Sequence, residues 1–113
     1  MDTETRTKIE KQIVHKIVRD ALEMGYSISV DDEGDEYAIK ESTNIKKIMA
    51  ELMNTETNNL VFHDTTGQPV GEVCLVYGNN GYDVIADNRN NPVTNTIIAG
   101  AERLAEKLEE KYS

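Results

Sequence analysis

Five carboxylates surround one glycine in Asp31-Asp32-Glu33-Gly34-Asp35-Glu36, the densest group of titratable side chains in the sequence. Asp31, Asp32 and Asp35 could offer hard oxygen ligands to Ca²⁺ or Mg²⁺. An EF-hand loop needs Asp or Asn at alternate positions, with glycine and glutamate at fixed later ones, and this run lacks that spacing, so no metal site is expected. As a contact surface for Lys and Arg on a partner, the run needs only density of charge. Asp31, Asp32, Glu33, Asp35 and Glu36 are therefore the candidate partner-binding residues.

The other reactive side chains are scattered. Asp83 and Asp87 lie four apart in a strand-like stretch, about 13 Å at the usual rise, too far to share a small substrate as acid and base. An enzyme would need Asp64, Asp83 and Asp87 to converge in a pocket. His15 sits among Lys11, Lys16 and Arg19, His63 adjoins Asp64, and Cys74 is distant from both, so neither a zinc set nor a Cys-His nucleophile pair is signalled. Gly78-Asn79-Asn80-Gly81 lacks the lysine and following helix of a phosphate-binding loop. Tyr26, Tyr37, Tyr77 and Tyr82 all fall in strand-like stretches, and Arg89 is the one Lys or Arg in residues 59–91, so a stacking platform for single-stranded nucleic acid is not expected. No catalytic, cofactor-binding or metal-binding residues are assigned.

These side chains need elements to hold them. A chain of 113 residues with 38% apolar content can bury one core and is short for two domains. With 21 acidic and 12 basic residues the net charge is -9, which opposes attraction to nucleic acid or anionic lipid and favours cationic partners. The acid is concentrated mid-chain: residues 1–25 carry five acids and five bases, whereas residues 26–58 carry eight acids and three bases. Cys74 is the single cysteine, the start of the chain is charged, and no apolar stretch approaches the roughly 20 residues that cross a bilayer. A soluble cytoplasmic protein is expected.

Ile9, Ile13, Val14, Ile17, Val18, Ala21 and Met24 recur at helical spacing, with Gly25 placed to end the helix. Tyr26, Ile28 and Val30 alternate with polar residues, as do Tyr37 and Ile39 beyond the acidic run. A four-residue loop at Asp32–Asp35 would set Val30 opposite Tyr37 and Ile28 opposite Ile39, making the acidic run a hairpin tip. Ser42-Thr43-Asn44 supplies an N-cap for a short helix through Ile45, Ile48, Met49, Leu52 and Met53. Three strands follow, at Leu60–Asp64, Val70–Tyr77 and Tyr82–Asp87. Asn80-Gly81 signals a type I′ turn that pairs Tyr77 with Val84, Leu75 with Ala86 and Val76 with Ile85. Asn91-Pro92 opens a terminal helix with its stripe at Val93, Ile97, Ala101, Leu104 and Leu108. The element order αββαβββα predicts a single α+β domain, with helices packed on an antiparallel sheet.

If the helices cover the face bearing Ile28, Ile39, Phe62, Leu75, Tyr77 and Val84, the other face carries Val61, Cys74, Val76 and Ile85 among polar residues. Either the last helix wraps onto that face, or Val61, Val76 and Ile85 form a homodimer or partner surface.

The stretch from Leu75 to Asp87, Leu-Val-Tyr-Gly-Asn-Asn-Gly-Tyr-Asp-Val-Ile-Ala-Asp, followed by a polar turn and a terminal amphipathic helix, resembles the C-terminal half of small acidic bacteriophage accessory proteins. That resemblance implies a non-enzymatic protein that binds, and in some cases inhibits, a host protein, and it assigns no site residue. Together with the acid excess it leads to a protein-binding module for a basic host protein, acting in the host cytoplasm. Two alternatives stand beside it: an assembly protein dimerising through the sheet face, and a DNA mimic whose carboxylates take the places of phosphates.

Overall fold

The computed structural model describes residues 2–31, 37–54, 56–87 and 91–112, with Asp87 described by its backbone alone. Its elements are α1 (Thr3–Glu23), β1 (Ser27–Asp31), β2 (Ile39–Ser42), α2 (Ile45–Glu51), β3 (Thr57–His63), β4 (Pro69–Val76), β5 (Ile85–Asp87) and α3 (Pro92–Tyr112). This is the expected α+β order.

The helix ends form as their residues dictate. Asp2 caps α1, its carboxylate accepting from the Thr5 amide at 2.7 Å, and those hydrogen bonds hold the Asp2 carboxyl below its ordinary value of 3.8. At the other end Gly25 takes φ +92. Its amide donates to Leu22 O at 3.1 Å and the Tyr26 amide donates to Ala21 O at 3.1 Å, the paired bonds of a Schellman stop that a Cβ would disfavour. Asn44 caps α2 through the Lys46 and Lys47 amides. Asn91 caps α3 through Val93 and Thr94, with Pro92 at the first helical position, where its missing N–H costs nothing.

The five strands run in the order β2-β1-β3-β4-β5, each antiparallel to its neighbours. On one face Ile28, Val30, Leu60, Phe62, Val73 and Leu75 join Ile13, Val14 and Ile17 of α1, Ile48 of α2, and Ile97, Ile98 and Ala101 of α3 in one buried cluster. Each fully buried aliphatic or aromatic side chain there contributes about 1.5–3 kcal/mol. The radius of gyration, 13.3 Å, matches the roughly 13 Å of one compact domain of this length. α3 approaches the sheet over Gly71, where a Cβ would overlap the Thr94 methyl.

Both hairpin registers differ from expectation. Val30 lies opposite Ile39, not Tyr37, and Ile28 opposite Ser42, not Ile39, with a bulge between the pairs and Glu41 at φ 45. The bulge lets Ile39 pack against the core and leaves Tyr37 exposed. In the second hairpin Cys74 stays opposite Asp87, but a bulge puts Leu75 opposite Ile85, not Ala86. No type I′ turn forms: positive φ falls at Gly78 and Gly81, not at Asn80. Asn80 instead folds its side chain onto the Tyr82 and Asp83 amides at 2.9 and 3.0 Å, an Asx turn. The loop is tied to α1 as well, the buried Glu10 carboxylate accepting from the Gly78 amide at 2.8 Å.

Candidate functional site

Of the acidic run, Asp31 closes β1, half-buried and opposite Asn59, while Asp32, Glu33, Asp35 and Glu36 lie outside the described residues. The expected second face is corrected in part. Residues opposed in antiparallel strands share a face, so the pairing of Leu75 with Ile85 turns Ile85 toward the core, where it packs beside α3. Val61 and Val76 alternate with the core residues Leu60, Phe62 and Leu75, so they belong to the other face. The three do not form one surface. Nor does α3 wrap onto the far face, because its buried side chains join those of α1 in the core.

The carboxylates considered for catalysis are also apart. Asp64 sits in the β3–β4 turn and Asp83 just before β5, near opposite ends of the eight-residue β4, about 20 Å away at the usual strand rise. Asp64 is occupied as a turn residue, accepting from the Thr66 hydroxyl at 2.6 Å and from the Thr66 and Gln68 amides. Those bonds, Thr66 foremost, lower its pKa below 3.8. Among the described residues no three His, Cys, Asp or Glu side chains come together to hold a metal ion.

A Ser-His-Glu group that the sequence did not suggest lies on the far face. Ser29 Oγ is 2.9 Å from His63 Nε2, His63 Nδ1 is 3.1 Å from Gly67 O, and Glu41 Oε1 is 4.0 Å from Nδ1. The Gly67 carbonyl can only accept, so Nδ1–H donates to it, and Nε2 lies within hydrogen-bond distance of the Ser29 hydroxyl. Ser29 Oγ also accepts the Glu41 amide at 2.9 Å, and the serine is 0% exposed. A nucleophile needs access to substrate, so this group is a saturated polar brace under the bulge of β2.

The opposite situation holds between the two long helices. Lys8, Lys11, His15 and Arg19 recur at steps of three and four on α1, with Gln12 and Lys16 beside them, and face Gly100, Arg103, Leu104 and Lys107 of α3 across a cleft of about 760 Å³. Six of the chain's twelve Lys and Arg line it. Leu104 is its one large apolar lining residue, and Gly100 lets α1 approach closely, since a Cβ there would stand 2.7 Å from Asp20 Oδ2 and 3.0 Å from Lys16 Cε. Lys16 pairs with the buried Asp20 at 2.9 Å, and Arg19 lies 3.9 Å from both Asp20 and Glu23. Lys11, Arg103 and Lys107 make no ion pair among the described residues. Lys8/Lys11 and Arg103/Lys107 are i,i+3 and i,i+4 neighbours, and like charges so placed cost an isolated helix about 0.2–0.5 kcal/mol each. Folding alone therefore gives no reason for this arrangement.

The signal for the cleft is present in the sequence, at helical rather than linear spacing. Residues 1–25 sum to zero charge, and that sum conceals a helix on which four of the five bases, Lys8, Lys11, Lys16 and Arg19, share one side. Known proteins add nothing to these observations: no family model, curated protein or solved structure matches the chain.

Proposed function

We propose that this chain is a non-enzymatic protein-binding module whose contact surface is the α1–α3 cleft and whose partner presents an acidic polypeptide segment. The observation that carries this reading is the gathering of six Lys and Arg around one cleft in a protein of net charge -9. From Lys8 to Arg19 the cleft runs about 16 Å along α1, room for roughly five residues of extended chain. The cleft residues include no Phe, Tyr or Trp on which a base could stack. Carboxylates on a short segment engage the lysines locally, over distances at which the remaining charge is screened.

The test is fluorescence anisotropy with a labelled oligo-glutamate peptide, with an oligonucleotide of equal charge as comparator. Saturable peptide binding that weakens with salt and is lost in Lys11→Glu/Arg103→Glu/Lys107→Glu supports the reading. Tighter binding of the oligonucleotide, or peptide binding unchanged in the triple variant, overturns it.

A second reading keeps the basic partner suggested by the overall acid excess. It is favoured by the other flank of α3, where Glu102, Glu106 and Glu109 line a smaller cleft with Asp83. Both readings describe the kind of accessory protein that the resemblance at Leu75–Asp87 implies, one that acts by binding a host protein.

A further inference from the structure

We infer that the acidic partner of the α1–α3 cleft is the other flank of α3 on a second copy of this chain, so that the protein self-associates head to tail. This rests on the cleft being an acidic-polypeptide site. The supporting observation is how α3 distributes its charge. Its bases are Arg103, Lys107 and Lys111, and its acids are Glu102, Glu106, Glu109 and Glu110. Every charged pair four apart on this helix is a like pair: Glu102/Glu106, Glu106/Glu110, Arg103/Lys107 and Lys107/Lys111. α1 does the reverse, setting Arg6 against Glu10, Lys16 against Asp20 and Arg19 against Glu23. Like charges four apart oppose a helix; on α3 they keep the acids and the bases in two separate stripes, which adjoin through the opposite pairs Arg103/Glu106 and Lys107/Glu110, three apart.

The stripes match each other. Both repeat every four residues, about 6 Å along the axis, and they are turned from one another by about 100° around it. Within one molecule they look in different directions: Arg103 and Lys107 into the α1–α3 cleft, Glu102 and Glu106 toward Asp83 and β5. Between two molecules, acids at one repeat meet bases at the same repeat, and the α1 lysines add further cations opposite the glutamates. A surface that meets a different surface of its own kind forms a heterologous contact, which propagates to larger assemblies as concentration rises.

Sedimentation of the intact chain over a range of concentrations, at low and at high ionic strength, tests this. Concentration-dependent association at low salt that disappears at high salt is expected. Arg103→Glu/Lys107→Glu and Glu102→Lys/Glu106→Lys should each weaken self-association by about tenfold or more. Mixing the two variants should restore association, because each retains one native stripe. Circular dichroism checks that both fold, and the neutral pairs Arg103→Gln/Lys107→Gln and Glu102→Gln/Glu106→Gln replace any that does not. Three outcomes overturn the inference: a wild type that stays monomeric throughout, association that ignores salt, or variants that fail to associate when mixed. A monomer that still binds oligo-glutamate through Arg103 and Lys107 would leave the cleft reading standing and remove the second copy as its occupant. A monomer that binds no oligo-glutamate removes both.

Discussion

The two sides of the sheet treat polar groups in opposite ways, and the two histidines mark the contrast. His63 is 6% exposed and both of its ring nitrogens are within hydrogen-bond distance of a partner, Ser29 and Gly67. His15 is exposed in the helical cleft, between lysines and arginines. Buried polar groups must find partners within the fold because water cannot reach them. Exposed charges have no such need, and a cluster of one sign is retained against its own repulsion. A saturated cluster accounts for itself by stability, while an unsaturated one points outside the molecule.

Breaking the saturated side should have the larger effect. Ser29→Ala removes the acceptor of the Glu41 amide and the hydrogen-bond partner of His63 Nε2. Leaving buried groups unpaired costs about 1–3 kcal/mol, read as a lower urea midpoint with an unchanged slope. Oligo-glutamate affinity should be unaffected. A loss below about 0.5 kcal/mol, the range of ordinary surface changes, would show that water reaches these groups and that the contrast between the faces is weaker than drawn.

The cationic side should respond in the opposite sense. Arg103→Glu/Lys107→Glu should lower oligo-glutamate affinity by about tenfold or more, with stability held within about 0.5 kcal/mol. A fall in unfolding midpoint as large as that of Ser29→Ala would make these charges part of the fold. Gly100→Ala is a subtler probe of the same cleft. Alanine is favoured over glycine in a helix by about 1 kcal/mol, but the new methyl presses on Asp20 and Lys16. We expect the two effects to offset in stability and the affinity to change by a few-fold, as the Lys16–Asp20 pair moves. Unchanged affinity with raised stability would mean that the Gly100 side of the cleft takes no part in binding.

How much of this was legible in the sequence follows from the range of the interactions. Element order, the capping of α3 by Asn91-Pro92 and the stop at Gly25 depend on residues within a few positions, and the sequence showed them. The Asn80-Gly81 turn was misread because its loop answers to Glu10, 68 residues away, which a local rule for hairpins cannot include. The register of β1 and β2 was misread because the Glu41 bulge is braced by Ser29 and His63 from two other positions in the chain. Ile85 was assigned to the wrong face by the same slip of one residue. The cleft was obscured for another reason: charge summed along the chain cancels, whereas charge placed around two helices does not.

The smallest expected effect concerns Asp64, which braces the β3–β4 turn that carries Gly67 to His63. Its carboxyl has a folded pKa lowered by hydrogen bonds, first from the Thr66 hydroxyl and then from backbone amides. A group whose pKa is lowered on folding stabilises the fold at pH values above its unfolded pKa, and that contribution is lost as pH falls through the folded value. Stability relative to Asp64→Asn should therefore be constant near neutrality and shrink once the pH drops below the ordinary carboxyl value of 3.8. Thermal unfolding of both proteins across that range reads the difference directly. A difference that stays constant as the pH falls through that range would show that the turn's hydrogen bonds give the Asp64 carboxylate no advantage in the folded state.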